Sequence, residues 1–465
     1  MTGRQIVEIR DRNGSPSWRR GLLALSISLA CAGPVLADDA DRVAELEQRV
    51  ADLEAMVQQL LDERRAAAPA GEEVRRVAEE SRATRAMVEE MRDRAEPVLA
   101  AAEEKAAGPE FYWGGYVKAD AIVSDFSDGE VAAGSIGRDF FVPSTIPVGG
   151  EGEGAVTDFH ARQSRVNFGV RHQVDENNRL GAFVEFDFLA TAGGNERVSN
   201  SYSPRMRHAF ITWNNWLVGQ TWNTFMDVGT LPESVDFIGP AGSTTFGRQT
   251  QIRYTSGNFA VALENPETTI TPFGGTGRIV TDDHLMPELA ARYTWKGDWG
   301  HVQLGGMLRQ LAYEDDALGI DDDEMSWGVS VSGKFPIGRD DIRWMVHHGD
   351  GLGRHVGLNF VNAAVLTDTG SLEPIGTTGG FVAYRHWWSE RLRSTAVFGY
   401  LDVDNPVQYT GTGVSSGNWS GQVNLFYSPV DTLSFGVEYL TAEREIESGE
   451  SGRLDRLQFT GKYSF

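Results

Sequence analysis

Two periods of apolar residues divide the chain. Between residues 38 and 107, Val43, Val50 and Val57 recur every seven positions, and Leu46, Leu53 and Leu60 form a second seven-residue series between them. Valine at one seam position and leucine at the other predicts an α-helical coiled coil, because a single helix cannot bury such a stripe alone. Ala66 to Gly71, with Pro69, breaks that helix, and a second, poorer helical stretch follows through Val74, Val77, Val88 and Met91 in a shifted register.

From Phe111 onward the period is two. Val117, Ala119, Ala121 and Val123 alternate with Lys118 and Asp120; Ala182, Val184, Phe186 and Phe188 alternate with Glu185 and Asp187. Leu289, Ala291, Tyr293 and Trp295 oppose Glu288, Arg292 and Thr294, and Trp327, Val329, Val331 and Phe335 oppose Ser330, Ser332 and Lys334. Leu433, Phe435, Val437 and Tyr439 oppose Ser434 and Glu438. In the final stretch Leu457, Phe459, Gly461, Tyr463 and Phe465 share one face while Arg456, Gln458, Thr460, Lys462 and Ser464 share the other. Successive side chains of a strand point to opposite faces, so each of these is a strand with one apolar and one polar side. Tyr463 and Phe465 mark the last strand as the one that pairs with the first and closes a barrel, since an aromatic, flat, unpaired edge invites aggregation.

Connection lengths alternate as well. Short turns fall at Asp175-Glu176-Asn177, Asn214-Asn215, Ser256-Gly257, Lys296-Gly297, Pro336-Ile337-Gly338, Ser389-Glu390 and Pro429-Val430-Asp431. Long polar or glycine-rich connections run from Phe126 to Thr157, Asp227 to Arg248 and Gly349 to Thr377. Short turns at one end and long loops at the other are the pattern of a transmembrane barrel, and the strand tally is about sixteen, the size that leaves a water-filled lumen. The expected fold is therefore all-β, a 16-stranded antiparallel transmembrane β-barrel preceded by a coiled-coil segment. Both ends of an even-stranded barrel lie on one side, the periplasmic side, where the coiled coil must also lie. Paired aromatics at strand ends (Tyr112-Trp113, Trp213 with Trp216, Trp387-Trp388) are expected in interfacial girdles.

Composition narrows the class. Of 465 residues 41% are hydrophobic, yet beyond residue 37 no apolar run is long enough for a membrane-spanning helix. A net charge of -24 argues against nucleic acid as a partner. Residues 1–37 read as a secretory signal: Arg4, Arg10, Arg12, Arg19 and Arg20 precede an apolar core from Gly21 to Ala32, and Val35-Leu36-Ala37 offers a small-residue cleavage site. The single cysteine, Cys31, lies inside that signal, so the mature chain is expected to carry neither disulfide nor thiolate site, and Ser28-Leu29-Ala30 is a poor context for lipidation. The expected organisation is a signal over 1–37, a periplasmic helical segment over 38–107 and the barrel over 108–465.

Several stretches resemble the DcaP-like outer-membrane porins. They are Gly115-Tyr-Val-Lys-Ala-Asp-Ala-Ile122, Ala161-Arg-Gln-Ser-Arg165, Arg205-Met-Arg-His-Ala209, Gly349-Asp-Gly-Leu-Gly-Arg354, Tyr384-Arg-His-Trp-Trp388 and, most specific, Trp216-Leu-Val-Gly-Gln-Thr-Trp-Asn-Thr-Phe-Met-Asp227. The resemblance covers nearly all of the mature chain, and the coiled-coil segment before the barrel also fits the family layout. It implies a homotrimeric diffusion channel in the outer membrane that favours small organic anions such as dicarboxylates. The valine/leucine seam by itself leans toward a dimer.

A porin selects by narrowing its lumen and lining the narrow part with fixed charge. The third extracellular loop, which counting along the chain places at Asp227 to Arg248, is the one expected to fold inward; it carries Asp227, Glu233 and Asp236, and Pro232 and Pro240 stiffen it. Arginine suits the facing wall of an anion pore, because it stays charged and grips a carboxylate through two parallel hydrogen bonds. The candidates are Arg162, Arg165, Arg205, Arg207 and Arg253 on strands flanking the loop, with Arg292, Arg309 and Arg343 further round. Arg292, Arg309 and Arg343 alternate with apolar neighbours and should face the lumen. Arg162 conflicts with Val166, Phe168 and Val170, and Arg205 and Arg207 conflict with Ala209, Ile211 and Trp213. A lipid-facing arginine at mid-membrane costs about 2–4 kcal/mol, so a bulge or a displaced position must resolve the conflict.

Other readings are weaker. His347, His348, Asp350 and His355 have no metal-ligand spacing, and Asp321-Asp322-Asp323-Glu324 lacks that of a calcium loop. No serine stands beside a histidine as a nucleophile would, so neither an enzyme nor a cofactor is expected. The alternatives to an anion porin are a weakly selective general porin and a structural tether that contacts the cell wall through the coiled coil.

Overall fold

The computed structural model describes residues 108–191, 194–195 and 198–465, together with a few helical positions between 48 and 59. Those positions, among them Gln48, Asp52, Glu54 and Gln58, are exposed. The valine/leucine seam, the second helical stretch and the signal lie outside the described residues.

Sixteen barrel strands follow in order. They are β1 (Glu110–Phe126), β2 in two pieces (Val156–His160 and Arg165–Asp175), β3 (Asn178–Asp187), β4 (Arg205–Trp213), β5 (Trp216–Trp222), β6 (Arg248–Ser256), β7 (Phe259–Glu264) and β8 (Glu288–Gly297). The second half comprises β9 (Gly300–Asp315), β10 (Ile320–Ile337), β11 (Asp340–Asp350), β12 (Gly376–Trp387), β13 (Leu392–Asp404), β14 (Ser415–Val430), β15 (Leu433–Ile446) and β16 (Ser451–Ser464). Each pairs antiparallel with its neighbours, and β16 returns to β1 with Val117 opposite Tyr463, Ala121 opposite Phe459 and Phe126 opposite Leu454. Closure leaves no open edge.

The two faces separate as the alternation predicts. Val117, Val123, Trp327, Val329, Val331, Leu457, Phe459 and Tyr463 lie exposed on the outer wall, whereas Lys118, Asp120, Ser330, Ser332, Arg456 and Gln458 are buried within. The aromatic pairs split between the faces, as neighbours on a strand must. Trp113 and Trp388 point outward with Trp213 and Trp216, all at the turn end. Tyr112 and Trp387 are instead half-buried, their rings under the guanidinium groups of Arg171 and of Arg385 and Arg393.

Two sets of long loops fill the loop end. The first loop, expected to be a polar connection, carries an apolar cluster inward. Phe140, Phe141, Val142 and Ile146 pack with Phe126, Leu440 and Leu454 of the wall and with Met226, Ile238, Ala241 and Phe246 of the third loop. Burying a large apolar side chain is worth about 1.5–3 kcal/mol, which outweighs leaving these loops in water. The short helix α1 (Ile136–Asp139) sits in this cluster, capped by Ser135. On the other side, segments 268–271 and 279–281 of the fourth loop join 364–366 and 372–374 of the sixth in a small four-stranded sheet. Ile270, Ala364 and Leu372 pack there against Leu311 of β9.

Candidate functional site

The third loop runs from Asn223 to Gly247, and the polar inner face of the strands fastens its backbone along the way. Asp227 accepts hydrogen bonds from His301 Nε2 at 2.9 Å, Ser332 Oγ at 2.8 Å and its own loop's Gly229 N at 2.9 Å. Burial alone would raise this carboxyl, but these donors hold it below the usual range. Leu231 O accepts from Arg343, and Val235 O accepts from Lys118 Nζ at 2.7 Å. The Glu438 carboxylate receives Ser234 Oγ, Val235 N and Asp236 N at 2.8, 3.0 and 3.2 Å. Gln422 and Asn418 donate to Gly239 O and Gly242 O at 2.7 and 3.0 Å, and His347 Nε2 lies 3.2 Å from Ser243 O. Polar residues that alternation merely turned inward thus become the pegs on which the third loop hangs.

Beside this loop, on the inner wall, is a cluster of arginines. Arg205 forks onto Asp187 with two bonds of 2.8 Å, and Arg207 reaches Glu185 at 2.7 Å and Asp187 at 3.1 Å. Arg165 stands 3.5 Å from Glu185, and Arg248 lies over the ring of Trp222 at 5.1 Å. Three guanidinium groups share two carboxylates and the fourth, Arg248, is in ion-pair contact with neither, so positive charge is in excess. The rings of Trp222 and Phe237 back the cluster, with Arg207 at 5.5 and 5.4 Å from them. Arg165 and Lys462 approach the ring of Tyr116 at 5.2 and 4.3 Å, which extends the basic track toward the turn end. Gly219 in β5 permits close packing here: at φ +128° a Cβ would lie 2.3 Å from Ala209 O.

The other candidates are distributed differently. Arg253 and Arg292 face inward and donate to backbone carbonyls, Arg253 to Trp222 O at the end of β5 at 3.3 Å and Arg292 to Met226 O of the third loop at 3.2 Å. Among the described residues no carboxylate lies within ion-pair distance of Arg248, Arg253 or Arg292. Arg343 is held by Asp341 at 2.7 Å. Arg162 sits in the break between the two pieces of β2, paired with Asp139 at 2.5 Å and stacked on Tyr202 at 3.7 Å; it is a loop anchor rather than a wall residue. Burial pushes the Asp139 carboxyl up even though Arg162 pulls it down.

Arg309 points inward as its alternation requires, but it is fully buried there. It pairs with Glu288 at 3.0 Å and donates to Glu267 O, Gly351 O and Leu352 O, which fixes the fourth and sixth loops to the wall. His355 completes this latch, with Nε2 3.0 Å from Glu288 and Nδ1 3.3 Å from Asn223 Nδ2. Burial lowers the His355 pKa against the pull of Glu288, so the ring is neutral, donating to the carboxylate and accepting from the amide. Asp236 is likewise an anchor, accepting from Phe141 N at 2.9 Å. His347, His348 and His355 turn to three separate partners, Ser243, Thr378 and Glu288. Arg248 escaped the sequence reading because a strand's first residue has no alternation on one side of it.

The family model described as DcaP outer membrane protein matches residues 141–465. Among solved structures, the crystal structure of the outer membrane channel DcaP of Acinetobacter baumannii superposes with a TM-score of 0.62 at 24% sequence identity. That alignment covers 77% of this chain and 98% of the other, and it shows the fold. An anion-selective porin from Comamonas acidovorans aligns at TM-score 0.48 and 11% identity over 77% of this chain and 100% of its own. OmpT of Vibrio cholerae aligns at 0.46 and 13%, over 77% and 98%. A comparison with curated proteins finds no match.

Proposed function

The chain belongs to the DcaP outer membrane protein family, and from that premise we propose that this outer-membrane channel passes small anionic organic solutes, dicarboxylates among them, by passive diffusion. The observation that carries the reading is that, among the described residues, Arg248, Arg253 and Arg292 stand in no ion pair. A guanidinium already saturated by a carboxylate has little left for a solute, whereas these three retain both charge and donors on the inner wall. The acidic total of the chain does not oppose this, because the loop acids Asp227 and Asp236 are spent on anchoring.

The outer wall over β2 to β4 forms an apolar groove lined by Phe168, Val170, Ala182, Val184 and Ile211, which supports contact with other copies of the chain in a trimer. We further infer that the coiled-coil segment, which precedes the first strand at Glu110, is periplasmic.

Reversal potentials across a planar bilayer under a salt gradient test the selectivity. Anion preference in the native channel, reduced stepwise by Arg253→Ala and Arg292→Ala, is expected; cation preference would overturn the reading. Liposome swelling with neutral and charged solutes of equal size separates it from a weakly selective general porin, which would admit both alike. Deleting 38–107 separates it from a tether, whose loss would weaken the envelope while leaving conductance intact.

A further inference from the structure

A second basic station lies nearer the turn end of the lumen. Arg343 of β11, Arg385 of β12 and Arg393 of β13, with Lys334 of β10, converge on two carboxylates. One, Asp341, belongs to the wall, with Arg343 at 2.7 Å and Arg385 in direct contact. The other, Glu233, comes from the constriction loop. Its carboxylate lies in the fork of Arg393, with Nε to Oε2 at 2.7 Å and Nη2 to Oε1 at 2.6 Å. Two parallel bonds of this kind are how a free carboxylate binds arginine. The site has capacity beyond Glu233: Arg385 Nη1 stands 4.0 Å from the same Oε2, and its Nε is buried without a partner. Lys334 approaches Asp341 only to 4.0 Å, and its side chain is 33% exposed.

Glu233 differs from the other loop acids. The side chains of Asp227 and Asp236 are 8% and 1% exposed, while that of Glu233 is 25% exposed and is gripped only by arginine. The loop backbone around it is pinned independently: Arg343 holds Leu231 O, Asn424 Nδ2 holds Glu233 O at 2.9 Å, and Glu438 holds Val235 N at 3.0 Å. Arg393 is fixed in turn by Ser428 Oγ at 2.9 Å and by the rings of Trp387 and Phe426 at 5.1 and 5.2 Å. The Glu233 side chain can therefore swing away without moving either the loop or the fork.

We propose that this station is a second carboxylate-binding site of the channel and that Glu233 is its built-in occupant, exchanged for the carboxylate of a passing solute. The proposal rests on the anionic-solute reading. A tethered carboxylate competes at an effective concentration on the order of millimolar, which keeps solute binding weak and release fast. Conduction requires both.

The test is single-channel recording on the full chain with malonate as the probe, comparing the native channel with Glu233→Gln and Glu233→Asp. Glutamine removes the competing charge; aspartate keeps a charge but is too short to fill the fork. Both variants should lengthen malonate residence, by on the order of tenfold for glutamine. Glycerol permeation in liposomes should stay unchanged. Unchanged residence in channels that still prefer anions overturns the exchange and leaves the selectivity reading standing; cation preference in all three overturns both. A change with glutamine alone means a long-range field and no site. Faster glycerol entry in either variant means that Glu233 serves only to anchor the loop, which also overturns the proposal.

Discussion

Arg207 and His208 are neighbours in sequence and both are buried on the lumen side of the same strand. An extra residue in β4 makes this geometrically legal. Pairing with β3 steps from Glu185 opposite His208 to Phe186 opposite Met206, so Arg207 has no partner of its own in the ladder. Such a bulge reverses the sense of alternation. Met206, Ile211 and Trp213 stay outside while Arg205 and Arg207 turn in, onto Asp187 and Glu185.

The arginines of this cluster divide accordingly into those the fold needs and those it does not. Arg207→Ala leaves Glu185 and Asp187 with one ligand fewer in a water-poor site and should destabilise the barrel by about 3–5 kcal/mol. Arg248→Ala breaks no ion pair and should cost within about 1 kcal/mol. The same variant should move the reversal potential toward cations. Urea titration of barrels folded into liposomes ranks the two, and a larger loss for Arg248→Ala would contradict this division.

Barrel closure admits a similar comparison. Phe465 exchanges backbone hydrogen bonds with Gly115 at 3.2 and 3.1 Å, and its ring lies 5.4 Å from that of Trp113. Phe465→Ala keeps the backbone bonds and loses the ring pair, worth about 0.5–1.5 kcal/mol beyond area. Phe459→Ala removes an outward ring of the same strand that stacks on no other aromatic among the described residues. Folding into liposomes, followed by the heat-modifiable band on gels, should be slowed more by the first than by the second. Equal effects would mean that the Trp113 contact adds nothing to closure.

Much of this architecture is legible because alternation is a local signal. It assigns inside and outside correctly on β1, β8, β10 and β16, where no bulge intervenes, and the turn pattern places the third loop by counting. Alternation is silent on what an inward side chain meets. Arg292 and Arg309 carry the same sequence signature, yet one meets a short stretch of loop backbone and the other lies beneath the docked fourth and sixth loops. Arg162 sits where the strand is broken, so no parity rule applied to it. The inward folding of Phe140 and Phe141 is hidden by the glycine-rich, polar chain around them, since their partners, the third loop and the wall residues Phe126, Leu440 and Leu454, are mostly remote in sequence.

The foot of the third loop should be insensitive to mild acid. Despite burial, donors from His301 and Ser332 hold the Asp227 carboxyl below its ordinary value of 3.8. A depressed carboxylate contributes stability that is present above the unfolded pKa and lost as pH falls through the lower folded one. Loop-dependent current noise in the native channel should therefore stay level from about pH 7 down to about pH 5 and rise only below about pH 4. Asp227→Asn should be noisy throughout. A native channel that becomes noisy near neutrality would contradict this assignment of the anchor.

The latch of the sixth loop should respond to acid earlier. His355 is buried against Glu288, and its pKa lies below the ordinary 6.5, chiefly through desolvation. A histidine depressed in the docked state takes up its proton more readily once the loop is released. Docking is therefore fully favourable above about pH 6.5 and weakens as pH falls below it. Hydrogen exchange of the segment 351–363, corrected for the intrinsic pH dependence, should quicken between pH 7 and 5 relative to the barrel strands. His355→Gln keeps a donor for Glu288 and an acceptor for Asn223 without a titrating proton, so its corrected exchange should be flat over that range. Arg309→Met leaves Glu288 without its guanidinium partner and should release the loop at every pH, at a cost of about 3 kcal/mol or more. Equal pH slopes in the native and His355→Gln channels would place the sensitivity elsewhere in the loop.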